Sequence, residues 1–145
     1  MVHLRADAER ASARDLWATR VARPVTELER STQFYRDVLG LPVLGSFEGH
    51  SGYDGVFFGL PGGAELELTQ GPSGPVRSHE EDLLVLYVRR QHFRSAVQGL
   101  EAAGAQRVEA SNPYWNVWGA TFLDPDGYRV VIAASLPASP TLQGQ

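Results

Sequence analysis

The chain has 145 residues, 43% hydrophobic and 21% charged, which supplies the core of one ordinary domain and too little chain for two. All 13 basic residues are arginine and cysteine is absent, so amine chemistry (Schiff bases, the P-loop lysine) and thiol chemistry (disulfides, thiolate nucleophiles, thiolate zinc sites) are excluded. The net charge of −4 disfavours a polyanionic partner, and no apolar run approaches the roughly 18 to 20 residues of a membrane span. The expectation is a cytoplasmic protein with no nucleic-acid partner, no membrane association and no signal peptide.

Residues 1–18 mix Ala, Arg, Asp and Glu with little apolar content and read as a marginal helix or arm, able to pack through Leu4, Leu16 and Trp17. An extended segment, TRVARPV, comes next. Thr26 and Glu29 stand in the spacing of a capping box and predict a helix with Leu28, Ser31/Thr32, Tyr35 and Val38/Leu39 on one side. Gly40 supplies its left-handed stop. Three strands follow, PVLGSFEGH, DGVFFGL and AELELTQ, separated by turns at Gly52 and at Pro61-Gly62-Gly63. The order then recurs. DLLVLYV reads as a strand, RQHFRSAVQGLEAAG as a helix with Phe93, Ala96/Val97, Leu100 and Ala103 buried and Gly104 as its stop, and QRVEA, WGATFL and YRVVIAA as three more strands. Residues 135–145, rich in Ser, Pro and Gln, read as a flexible tail.

The recurrence has a fixed offset: Gly40, Gly55, Phe58, Pro61 and Gly63 return 64 residues later as Gly104, Gly119, Phe122, Pro125 and Gly127. Shared order and shared punctuation predict an α+β domain at 19–134 made of two tandem βαβββ modules, 19–71 and 82–134, joined by a linker at 72–81.

This tandem arrangement, with LERSTQFYRDVLGLPV, ELELTQ and the turn DPDGYRVVI, resembles the vicinal oxygen chelate superfamily of glyoxalases, extradiol dioxygenases and fosfomycin- and bleomycin-resistance proteins. RVARPVTELERSTQFY, GSFEGHSGYDGVFFGLPG, LELTQ and NPYWN further resemble its YycE-like branch. The resemblance implies cupped mixed sheets lined by alternate strand residues, a homodimer, and, in the enzymes, a divalent metal held by one ligand on the first and one on the last strand of each module. Carried onto this chain, those four positions fall on Arg20, Glu67, Leu83 and Val131. One carboxylate cannot replace a hydration shell. At about 4 Å and an effective dielectric of 20, a unit charge pair is worth roughly 4 kcal/mol, so Arg20 would repel a divalent ion by roughly double that. Neither a metal nor an organic cofactor is expected.

Two residue groups remain as site candidates. Alternation places Arg20 and Glu67 on the cup side of the first module, where they would pair or divide the polar ends of a ligand between them, and Leu83, Val85, Tyr87, Arg129, Val131 and Ala133 on that of the second. Tyr114, Trp115 and Trp118 precede a cup strand and suggest an aromatic lid, with Phe57 or Phe58 contributing from the first module. The glycine-bounded GHSGYDG offers His50, Tyr53 and Asp54 as base, phenol and orienting carboxylate, or merely as turn residues. His3, His79 and His92 form no metal-binding pattern. The expected function is metal-free binding of a small organic molecule, such as an antibiotic or metabolite. The alternative is a metal-free lyase, isomerase or cyclase with His50 or Glu67 as general base and Arg20 stabilising negative charge.

Overall fold

A computed structural model describes residues 14–72 and 74–135; most of the arm, with Leu4, and the tail from residue 136 lie outside the described residues. The first module contributes β1 (Arg20–Pro24), the helix α1 (Leu28–Gln33, continued as a π-helical turn over Phe34–Val38), β2 (Val43–His50), β3 (Tyr53–Gly59) and β4 (Glu65–Gln70). The second contributes β5 (Leu83–Arg89), α2 (Phe93–Ala102), β6 (Gln106–Val108), a short helix α3 (Tyr114–Trp118), β7 (Gly119–Leu123) and β8 (Arg129–Ser135). Each module makes one mixed sheet, ordered β1-β4-β3-β2 and β5-β8-β7-β6. The first and last strands of each module run parallel, with Arg20 beside Glu65 and Ala22 beside Glu67 in one, Leu83 beside Arg129 and Val85 beside Val131 in the other.

The repeat is visible in the backbone. Gly40 and Gly104, with φ of 76° and 92°, end the two helices, and Gly63 and Gly127, with φ of 86° and 85°, turn the chain before the last strands. Left-handed backbone at these four points is open to glycine at little cost. Phe58 and Phe122 are both fully buried.

Three local expectations are corrected. No capping box forms: Glu27, extended at φ −132°, precedes the helix, and the Thr26 N–H donates instead to the Asp126 carboxylate at 3.1 Å. The Leu28 N–H finds the Gln70 side-chain oxygen at 2.8 Å, so distant residues satisfy the helix start. Leu16 and Trp17 do not enter the core of the described residues, being 65% and 93% exposed. Ser135, assigned to the tail, is the last residue of β8.

The inward faces of the two sheets, even-numbered on β3, β4, β5, β7 and β8 but odd-numbered on β1, meet in a shared core. Phe58, Leu66 and Leu68 of the first sheet cluster with Phe34 and Tyr35 of α1, with Val130 of the second sheet, and with Leu84 and Leu86 at the margin. Widening α1 into a π-helical turn, with the Leu39 N–H donating to the Phe34 carbonyl at 3.0 Å, carries both Phe34 and Tyr35 inward. Val38 and Leu39 reach a second cluster built on Val97, Leu100, Ala120, Phe122 and Ile132. A polar seam crosses the same junction. The Tyr35 hydroxyl donates to Asp124 Oδ2 at 2.7 Å, while the Asp126 and Tyr128 N–H groups donate to Asp124 Oδ1 at 2.8 and 2.9 Å. Arg23, 8% exposed, lies 4.8 Å from the centre of the Tyr128 ring and 3.4 Å from Asp82. Because these faces look inward, the opposite face of each sheet looks away from the core.

Candidate functional site

The outward face of the first sheet, odd-numbered on β3 and β4 and even-numbered on β1, carries Arg20 on β1, Glu65 and Glu67 on β4, and Phe57 on β3, directly across from Glu67. The Arg20 guanidinium carbon lies over the Phe57 ring, 4.6 Å from its centre. Its Nε and one terminal nitrogen both donate to Glu65 Oε1, at 3.0 and 2.7 Å, and its other terminal nitrogen is 3.7 Å from Glu67 Oε1. The expected partner of Arg20 was Glu67; the nearer one is Glu65, its neighbour in register. Alternation along β4 puts Glu65 on the same face as Glu67, but only Glu67 occupies a position that the family resemblance singles out. One guanidinium between two carboxylates leaves the face with surplus acceptor capacity, and Arg20 keeps half of its side chain exposed. Of the two phenylalanines considered, Phe57 belongs here and Phe58 to the core.

GHSGYDG does not converge into a catalytic group. His50 and Tyr53 face each other across the hairpin end, exposed and half-buried. Tyr53 stands four positions before Phe57 on β3, which places this pair about 13 Å along the strand from Arg20 and Glu67. The Tyr53 ring lies on the bare backbone of Gly71, where a Cβ would stand 2.2 Å from it. Asp54 is on the opposite face. It accepts the Gly49 N–H at 2.8 Å, bracing the irregular end of β2, and borders an open recess of about 450 Å³ between α1 and the β2–β3 hairpin with Leu28, Thr32 and Arg36. Asp54 therefore serves its own hairpin.

The odd face of the second sheet is roofed. The aromatics expected as a lid form α3, held by Asn116, whose side chain accepts the Ala110 N–H at 2.9 Å and donates to its carbonyl at 3.2 Å. Tyr114 meets Trp115 edge-on at 4.9 Å and Trp118 at 6.5 Å between ring centres. Tyr87, 58% exposed, borders this group; partial burial, then the nearby Tyr114 phenol, raise its pKa above the ordinary tyrosine value. The helix itself was not foreseen, since five residues ending in a tryptophan carry no helical period. The pattern of Asn116 serving Ala110 was its one local sign.

The donor set for a divalent ion does not fit. Leu83 and Val131 carry no ligand atom, Val131 is fully buried, and the guanidinium of Arg20 stands beside the one remaining carboxylate of the four positions. Among the described residues no three His, Asp or Glu side chains gather closely enough to hold a metal. No helix among them is long and apolar enough to cross a membrane.

The YycE-like N-terminal domain matches residues 19–69 and the YycE-like C-terminal domain residues 81–134. The chain belongs to the YycE-like family. Protein YycE of Bacillus subtilis is 44% identical over 121 residues, which span 80% of this chain and 86% of that protein. The crystal structure of a YycE protein of unknown function from B. subtilis aligns with a TM-score of 0.76 and 40% identity, covering 84% of this chain and 92% of that one. The trypanothione-dependent glyoxalase I of Leishmania major aligns with a TM-score of 0.67 at 21% identity over 89% of this chain and 91% of the enzyme. The YycE-like chain thus has the vicinal oxygen chelate fold. Its relatives in that fold include glyoxalases and fosfomycin-resistance proteins.

Proposed function

We propose that this YycE-like protein binds a small organic molecule without a metal, and that it does so as a homodimer. The observation that carries the reading is the replacement of a metal-binding set by Arg20, stacked on Phe57 and flanked by Glu65 and Glu67, on a face that looks outward. Such a face recognises a planar body through the ring and guanidinium, and hydrogen-bond donors or a positive charge through the two carboxylates. The odd face of the second sheet, with Tyr87 and the aromatics of α3, offers the matching apolar wall. Within one chain the two faces look apart, so a second copy brings the wall of one chain to the charged face of the other. Exposed Tyr87 and Val117 supply apolar contact for that pairing.

Mass spectrometry of small molecules that co-purify with the full chain, combined with elemental analysis, tests this reading. The expected result is an aromatic compound bearing an amine or hydroxyl, recovered unchanged after long incubation, with no stoichiometric divalent ion. Its amount should fall about tenfold in Glu67→Gln, as expected for one lost charge-assisted hydrogen bond. A stoichiometric metal that disappears in Glu67→Gln, or conversion of the compound, would sink the proposal. Sedimentation showing a monomer at working concentration would remove the dimer from it.

A further inference from the structure

Val131, Ala133 and Thr121 are at most 1% exposed, yet neither apolar cluster of the core includes Val131 or Ala133. All three lie on the odd face of the second sheet, where Thr121 and Val131 are partners in register. What covers this face is α3: a Cβ placed on Gly119 would stand 2.9 Å from Val131 Cγ1 and 3.2 Å from the Trp115 carbonyl oxygen. Under that roof the Thr121 hydroxyl has no hydrogen-bond partner among the described residues. A buried hydroxyl in that state is costly, and valine fills the same volume without the cost. The closed arrangement therefore does not account for a threonine here.

We propose that α3 roofs a ligand subsite and that Thr121 Oγ1 is its hydrogen-bonding group, suited to a planar bicyclic aromatic molecule bearing a hydroxyl. This rests on the binding function proposed above and names the ligand class for the second module's face. The roof is built to lift. Five residues are too few for a self-sustaining helix. The clamp from Asn116 to Ala110 ties α3 to the loop before it, the Asn112 side chain accepts the Tyr114 N–H at 3.0 Å, and among the described residues no side-chain hydrogen bond joins α3 to the sheet, so loop and helix move as one piece. A recess of about 80 Å³ already opens beside the roof, lined by Trp115, Leu83 and Asn112. When α3 swings outward, Tyr114, Trp115 and Trp118 offer ring faces to the guest, and Thr121 gains a partner.

Equilibrium dialysis of the full-length protein against 1-naphthol and against naphthalene tests the subsite, because the two probes differ by one hydroxyl. Wild type and Thr121→Ser should bind naphthol about fivefold more tightly than naphthalene, whereas Thr121→Val should bind both equally. Removing the unpartnered hydroxyl should also raise the Tm of ligand-free Thr121→Val by about 4 °C. A preference for naphthol that persists in Thr121→Val overturns the subsite, as does a Tm in that variant equal to or below wild type. Equal binding of both probes by wild type overturns the subsite and leaves the aromatic-binding function standing. Binding of neither probe removes both.

Discussion

The two modules are copies at an offset of 64 residues, and they differ most where the hairpin end of one corresponds to a helix in the other. His50–Asp54 in the first module is equivalent to Tyr114–Trp118 in the second. Around this segment the duplicated parts stayed fixed: Phe58 and Phe122 are fully buried, and the pairs Gly40/Gly104 and Gly63/Gly127 keep left-handed backbone. One connection, residues 109–118, thereby decides which outward face is open and charged and which is roofed and aromatic. The fold is held by the inward faces, which the modules share, so the outward faces were free to diverge in chemistry.

Gly55 and Gly119, equivalent in the repeat, give the strongest way to break this comparison. At Gly119 a Cβ would meet the Ile132 carbonyl oxygen at 2.8 Å and Val131 Cγ1 at 2.9 Å, with the Trp115 carbonyl behind, so the strand or the roof must shift. At Gly55 the closest atoms, at 2.3 and 2.4 Å, belong to the outer edge of the Phe47 ring, which can rotate away; the Leu68 carbonyl at 3.2 Å remains tight. Gly119→Ala should cost about 3 kcal/mol and Gly55→Ala about 1 kcal/mol in urea unfolding. Equal costs would mean that α3 yields as easily as a side chain, and the roof would not be a fixed feature of the unliganded protein.

The seam between modules comes next in size. Tyr35→Phe leaves Asp124 Oδ2 without its donor in a buried setting and should cost about 2 kcal/mol. A two-state transition that splits in this variant would show modules stable on their own. The same carboxylate gives the junction a pH signature. Burial, the largest influence, raises the Asp124 pKa above its ordinary value despite the Tyr35 hydroxyl and two backbone donors. The folded state therefore binds the Asp124 proton at a pH where the unfolded chain has released it. Stability falls as pH rises through that interval. The stability of wild type relative to Asp124→Asn should be greatest below the ordinary aspartate range and decline to a plateau once Asp124 is ionised in both states, as measured by urea midpoints across pH. A rising difference would contradict the direction of the shift.

Much of this architecture was legible in the sequence because glycine, proline and alternation are local signals. The eight strands, both main helices and the repeat follow from residues such as Gly40 and Gly104, whose backbone leaves little choice. The site was legible only by face. Arg20, Glu67 and Tyr87 lie on the side that alternation assigned, whereas the choice between Phe57 and Phe58 stayed open, and the choice of Glu65 over Glu67 as Arg20's partner depends on reach across a parallel pair, which no spacing encodes. The capping box failed for a related reason. Asp126 in the second module took the Thr26 N–H, and a contact one hundred residues away outweighed a motif of four. His50, Tyr53 and Asp54 are close in sequence, yet strand alternation at a hairpin end sends Asp54 to the other face.

The smallest stability effect is the most informative about function. Arg20 makes the closest ion pair of the outward face, but half its side chain is in water, where such pairs contribute about 0.5 kcal/mol or less. Arg20→Gln should leave the urea midpoint within that margin, while removing the cation that stacks on Phe57 and faces Glu67. If the outward face were a device for stability, this variant would approach the cost of Tyr35→Phe, and the contrast between a shared structural face and a free chemical face would collapse. A stable Arg20→Gln protein that no longer retains its co-purified molecule would instead place the two kinds of energy on opposite sides of the same sheet.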